Sequence, residues 1–141
     1  MNYVEQMQRA RKARVKRTLE WLGFTNVTPY SNGHHRGSPP DIGYTESLKG
    51  IEDDISRIMN LINQQTEEPV TLTVVYSNEV ANTIYTATSE ATGSVGQSFN
   101  ASDAVWNLAV ILAEAYPHRQ AIDMIESQYR IRSKNWVNNQ P

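Results

Sequence analysis

Residues 70–98 carry the most regular pattern in the sequence and read VTLTVVYSNEVANTIYTATSEATGSVGQS. Its first part, residues 70–76, is rich in valine and threonine, and its apolar side chains recur at every second position. This period of two residues predicts a β-strand with one apolar face. Residues 77–82 that follow include two asparagines and predict a turn.

Two further strands are predicted after this turn, at residues 83–89 and 92–98. The third strand contains Gly93 and Gly96, which weaken it because glycine has no side chain to pack. The connections between the three strands are too short to cross over the sheet. An antiparallel meander is therefore the simplest arrangement.

Helices are predicted on the C-terminal side of the meander. Residues 101–115 carry a broad apolar face, and Asn100 with Asp103 forms a pair like a capping box at their start. Pro117 is expected to end this helix, because proline lacks the N–H group that a helix interior uses. A last helix is predicted at residues 118–135, and both helices are expected to pack on the sheet.

Two helices are predicted on the N-terminal side, at residues 3–22 and 46–64, each with apolar side chains along one stripe. Thr45 is the expected N-cap of the second helix. Asp53 and Arg57 lie four positions apart within it, which favours an ion pair on the helix surface.

The segment between these helices predicts a short strand at residues 24–30 and a mobile loop at residues 31–43, which is dense in glycine and proline. We expect His34 and His35 to be solvated there, so replacing both with alanine should leave stability nearly unchanged. The predicted fold class is α+β in a single domain, 1–141. It comprises two N-terminal helices, a three-stranded antiparallel meander and two C-terminal helices packed on the sheet.

The composition excludes several classes of protein. The chain has 141 residues, a net charge of −2 and no cysteine, so it has no disulfide framework and no thiolate metal site. No apolar run approaches the roughly 20 residues that span a bilayer. The N-terminal residues lack the apolar segment of a secretory signal. We therefore expect a cytoplasmic protein that does not bind membranes.

A cluster of basic residues stands out in the first predicted helix, although the chain is slightly acidic overall. Such a run predicts contact with an anionic partner, namely nucleic acid, a nucleotide or the acidic surface of a protein such as a host protein. Tyr30 and Tyr44 flank the loop and are free to stack on a base. The residues expected to bind the partner are Arg9, Lys12, Arg14, Lys16, Arg17, Tyr30 and Tyr44. Arg11 lies in the apolar stripe and is expected to pair with Asp53 or Asp54.

An enzyme is the alternative class. The chain has no glycine-rich phosphate loop, no zinc-protease motif and no nucleophile elbow, so we assign no catalytic residue, metal ligand or cofactor. However, Pro40–Asp41 is similar to the start of a metal-dependent nuclease core, with Glu46 and Lys49 as the nearest further carboxylate and lysine. A small metal-dependent hydrolase or nuclease that uses the loop at residues 34–41 is therefore the alternative function.

Residues 69–115 resemble the half-fold of HicB-type antitoxins and also look like small phage accessory proteins. The matching features are the strand at residues 70–76, the Tyr85-Thr86-Ala87 pattern, Gly93, Gly96, Ser102 and the Asp103-Ala104 pair. The resemblance implies a non-catalytic binding unit that dimerises through its sheet. It implies no role for a particular residue.

These observations favour binding over catalysis. We expect an accessory, inhibitor or regulatory protein of the phage or mobile-element type that engages an anionic partner. An antitoxin-like repressor that binds DNA is a further alternative. A homodimer is expected, because the short meander has an unprotected edge.

Overall fold

The computed structural model describes residues 2–30 and 33–138, and within them all side chains except those of residues 118–123 and 126–138. This part of the chain is α+β, as expected, but contains two antiparallel three-stranded sheets rather than one. The elements in chain order are α1 (Tyr3–Trp21), β1 (Thr25–Pro29), β2 (His35–Ser38), β3 (Glu46–Ser47), a 3₁₀ helix (Ile51–Asp53), α2 (Ile55–Thr66), β4 (Val70–Ser77), β5 (Asn82–Ser89), β6 (Val95–Ser98) and α3 (Ala101–Asn138).

The predicted meander is confirmed as the second sheet, with strand order β4-β5-β6. β4 and β5 pair over eight residues, from Val70 opposite Ser89 to Ser77 opposite Asn82. The third strand is shorter than expected and begins at Val95, because Gly93 with a φ of 70° belongs to the preceding turn.

Gly96 allows α3 to lie directly against this sheet. A Cβ atom on Gly96 would collide with the carbonyl oxygen of Ala104 and the backbone nitrogen of Leu108, and would lie 2.9 Å from the Leu108 Cα atom. Ala87, which is opposite Gly96 in the sheet, is fully buried as well. Small residues at this crossing therefore let Leu108 and the rest of the apolar face of α3 enter the core, where α3 also contacts α1 and α2.

The predicted pair of C-terminal helices is wrong, because one helix, α3, runs from Ala101 to Asn138 with Pro117 inside it. Proline disfavours a helix interior but its fixed φ is still a helical one. Residues 113–120 offer no glycine or asparagine that could form a left-handed C-cap. The sequence around Pro117 therefore lacks the capping residue that commonly ends a helix.

The helix predicted at residues 46–64 is also wrong in its first half. Glu46 and Ser47 form β3 instead, and Gly50 adopts a left-handed φ of 74°, which a continuous helix cannot contain. The N-cap of α2 is Asp54 rather than Thr45, since its carboxylate accepts a hydrogen bond from the backbone N–H of Arg57 at 3.3 Å.

The segment predicted as a loop, residues 31–43, contains β2, which pairs with β1 on one side and β3 on the other. The short strand predicted at residues 24–30 is confirmed as β1. Gly37 permits this pairing, because a Cβ atom there would lie 3.2 Å from both the Leu48 side chain and the Thr25 carbonyl oxygen. The expectation of a solvated His35 is wrong, since this side chain is only 5% exposed on the buried face of β2.

Some predictions fall outside the described residues. These concern residues 31 and 32 of the loop, and the side chains that were expected to form the apolar face of the last helix.

Candidate ligand-binding cleft

A cleft of about 480 Å³ lies between α1, the connection from β1 to β2, the 3₁₀ helix and α3. Pockets that hold small ligands in proteins measure roughly 300–1,000 Å³, so this cleft is large enough for one. Its apolar lining comes from Val15, Leu19, Leu48, Ile51 and Trp106. Leu19 and Leu48 belong to the buried core, which gives the apolar part of the cleft a rigid base.

One wall of the cleft is a single face of α1. The lining positions on this helix are 8, 11, 12, 15 and 19, which follow the spacing of three and four residues that places side chains on one side of a helix. Leu19 is buried and Val15 half-buried, whereas Arg11 and Lys12 are exposed. The helix is therefore anchored through its apolar side chains while it presents two cations at the opening.

The opposite wall is formed by His34 and His35. Their backbone is fixed by the first sheet, because the Tyr30 N–H donates to the His34 carbonyl oxygen at 2.7 Å and the Leu48 N–H donates to that of His35 at 2.8 Å. Burial lowers the pKa of His35 below its usual value, and the positive charges of Lys12 and Lys16 lower it further, while Glu52 opposes them. Burial and the nearby positive charges therefore both favour the neutral form of this imidazole.

The side chains that line the cleft carry more positive than negative charge. Among the described residues that line it, Arg11 and Lys12 carry positive charge, and Glu52 is the one carboxylate. The imidazole rings of His34 and His35 can each donate an N–H hydrogen bond as well. An anion that enters the cleft would meet a cationic rim, two imidazoles and an apolar floor.

The predicted basic residues do not act as one group. Lys12 lines the cleft, and Lys16 lies close enough to lower the pKa of His35. Arg14 instead pairs with Glu114 of α3, with its Nε atom 3.0 Å from a carboxylate oxygen. Arg17 does not line the cleft, since it lies about 140° around the helix from Lys12. Arg9 is exposed and lies three residues before Lys12 on α1, outside the lining of the cleft.

Two lining residues were missed or misassigned by the sequence analysis. Arg11 was expected to pair with Asp53 or Asp54, but no such ion pair is present among the described residues, and Arg11 lines the cleft. Trp106 was not singled out as a site residue. Trp106 lies two residues before Leu108, on the margin of the apolar face of α3. This position could have indicated that its ring is partly exposed.

The two predicted tyrosines lie outside the cleft. Tyr30 and Tyr44 are both exposed, as expected for side chains that could stack on a partner. The guanidinium group of Arg36 lies 5.0 Å from the centre of the Tyr30 ring, within the range of a cation–π interaction. One face of Tyr30 is therefore already covered by a cation.

The carboxylates of the predicted nuclease motif are held by Arg57. Its guanidinium group contacts Asp41 through two nitrogens, at 3.0 and 3.3 Å, and reaches Glu46 at 3.5 Å. The hydrogen bonds from Arg57 lower the pKa of Asp41. Among the residues whose side chains the structure describes, 2–30, 33–117, 124 and 125, no group of three or more histidine, aspartate or glutamate side chains converges as a metal site would require. Asp41 and Glu46 therefore tie α2 to the first sheet through Arg57.

A search of the described helices finds none that is long and apolar enough to cross a bilayer. Comparison with protein-family models, with curated proteins and with solved structures finds no match to this chain.

Proposed function

We propose that the protein is a non-catalytic binding protein, and that its cleft holds a phosphate-bearing ligand with an aromatic ring, such as a nucleotide. The observation that carries the proposal is the combination of Arg11 and Lys12 at the opening with Trp106 and aliphatic side chains inside. Phosphate groups favour cations and N–H donors, and a base favours an apolar or aromatic surface. A nucleotide presents both parts within a volume that suits the cleft.

The position of the cations supports a small ligand over a long polyanion. A nucleic acid backbone is best bound by basic side chains spread along a surface. Here Arg14 is occupied by Glu114 and Arg17 points elsewhere, which leaves the positive charge concentrated at the cleft. The net charge of −2 also provides no general attraction for nucleic acid.

The test is a calorimetric titration with ATP, ADP, AMP, adenosine and inorganic pyrophosphate. We expect the nucleotides to bind, adenosine to bind much more weakly because it has no phosphate, and affinity to fall as salt is added. Lys12→Glu should weaken nucleotide binding about tenfold to a hundredfold, the value of one charge-assisted hydrogen bond.

Arg17→Glu is the matched control, because it makes the same charge change on the same helix away from the cleft. It should alter binding by less than about threefold, in line with the weak effect of screened surface charges. Equal losses in both variants would contradict a specific site in the cleft. Binding of adenosine as tight as that of AMP would contradict the role of the cations.

Two further measurements test the enzyme and repressor alternatives. A hydrolase would convert the bound ATP to ADP or AMP, which chromatography of the titrated sample detects. A DNA-binding repressor would bind duplex DNA with an affinity that falls steeply with salt, about one log unit per log of salt for each phosphate contacted. Tight DNA binding that does not depend on Arg11 or Lys12 would favour that alternative.

A further inference from the structure

The edge of the second sheet at β4 is open. The strand order β4-β5-β6 leaves β4 with one neighbour, and all eight of its residues pair with β5 without a bulge. In an antiparallel ladder, alternate residues direct their N–H and C=O groups away from the neighbouring strand. About four residues of β4 therefore present hydrogen-bonding groups along this edge.

This edge lacks the features that normally prevent strand pairing, such as lysine, proline or a bulge. β4 reads VTLTVVYS and contains no charged residue. Val74 is 57% exposed and Val75 is 62% exposed, and because neighbouring residues in a strand point to opposite faces, both faces are uncovered here. Leu72 packs against the core, so only the outer half of the strand is bare.

We propose that β4 pairs with β4 of a second copy of this chain in antiparallel orientation, about a two-fold axis that passes between the two Val74 residues. The two meanders then form one six-stranded sheet. This proposal is independent of the ligand in the cleft, because no residue of β4 lines the cleft.

Symmetry restricts the register of this pairing. A two-fold axis perpendicular to the sheet keeps each face on its own side, so even-numbered residues must lie opposite even-numbered ones. Centring the axis at Val74 places Leu72 opposite Tyr76 on one face. On the other face it places Thr71 opposite Ser77 and Thr73 opposite Val75. These are aromatic–aliphatic, hydroxyl–hydroxyl and β-branched pairs, all of which stabilise neighbouring strands.

A second copy fits this edge better than a charged peptide does. Because β4 is neutral along its whole length, self-pairing places no like charges opposite one another within the strand, while a charged peptide would find no counter-ion there. Outside the strand, Glu79 of one copy lies opposite Pro69 of the other and therefore near its Glu68. This repulsion between exposed carboxylates is screened by salt. Salt should strengthen the dimer, whereas it should weaken nucleotide binding.

Cross-linking tests the register directly, because the natural chain contains no cysteine. Opposite residues in an antiparallel pair have Cα atoms about 4.5–5.5 Å apart, which lies within the range that a disulfide bridges. Val74→Cys should give a covalent dimer under mild oxidation. Val95→Cys, on the opposite edge of the same sheet, should remain monomeric on a non-reducing gel. Equal cross-linking of both variants, or none of Val74→Cys, would overturn the proposal.

Light scattering on the full chain tests the dimer itself. The wild type should be dimeric at micromolar concentration, and Val74→Lys should weaken the dimer at least tenfold because it places two lysines opposite one another. Val95→Lys introduces the same charge at a comparably exposed valine and should leave the dimer unchanged. A monomeric wild type, or a dimer that is lost in Val95→Lys and kept in Val74→Lys, would overturn the proposal. Circular dichroism establishes that each variant is folded.

Discussion

His35 is the residue whose burial makes the protein sensitive to pH. Its pKa in the folded protein is lowered by burial and by Lys12 and Lys16, whereas in the unfolded chain it stays near its usual value of 6.5. Between these two values the unfolded chain binds more protons than the folded protein. The contribution of His35 to the free energy of unfolding is therefore fully present above about pH 6.5, and it is lost as the pH falls towards the lowered pKa of the folded protein.

Urea unfolding at about pH 7.5 and about pH 5.5 measures this dependence. The wild type should be less stable at the lower pH, and His35→Gln should lose most of the difference because it removes the titrating group. His34→Gln is the control, since it keeps the buried imidazole and should keep the difference. A His35→Gln variant with the full pH dependence would contradict this assignment.

Gly96 lies where the backbones of β6 and α3 are in close contact. Gly96→Ala introduces a methyl group that must displace α3 from β6, because the neighbouring atoms belong to the backbone of Ala104 and Leu108 and cannot rotate away. We expect a loss of about 1–3 kcal/mol in the free energy of unfolding, as for other overpacked sites. Gln97→Ala, at the next and exposed position, should change stability by less than about 0.5 kcal/mol. A Gly96→Ala variant as stable as the wild type would show that α3 can move away without cost.

Among the elements, α3 is a helix that contains a proline, Pro117, in its interior. Pro117→Ala restores the N–H group that can donate to the Ala113 carbonyl oxygen and removes the clash of the ring with it. The variant should gain helical circular dichroism and up to about 3 kcal/mol in stability. If a second helix instead began at Pro117, replacement there would bring no such gain, because proline is favoured at the first position of a helix.

Pro69→Ala is the matched control for this change, since Pro69 precedes β4 and lies outside a helix. It should lower stability by about 1 kcal/mol or less, through the greater freedom of the unfolded chain. The two proline variants should therefore shift stability in opposite directions.

The elements that could be predicted from the sequence are those with a long, regular pattern. The eleven polar and charged positions of α1 did not hide its apolar stripe, and the alternation of β4 and β5 is strong enough to give their pairing. β2 and β3 could not be predicted, because each is short and is held by pairing with a neighbouring strand rather than by an alternating pattern of its own. The cleft follows from that missed sheet, since His34 and His35 face Lys12 only once β2 has formed.

At the scale of the whole molecule, the cleft and the β4 edge should act independently. They share no residue, and effects at separate sites add when they have no common partners. Lys12→Glu should therefore reduce nucleotide affinity and leave the dimer intact, while Val74→Lys should do the reverse. Loss of both properties in either single variant, in a folded protein, would show that the two sites are coupled.

The length of α3 also determines how the molecule moves in solution. A helix of 38 residues is about 57 Å long, whereas a compact chain of 141 residues has a diameter of only about 37 Å. The helix must therefore extend past the rest of the protein, which increases the hydrodynamic friction and slows diffusion. Even the monomer should elute from a gel-filtration column ahead of a spherical protein of equal mass. Sedimentation velocity should accordingly give a frictional ratio above that of a sphere, and truncation of the chain after Pro117 should lower it.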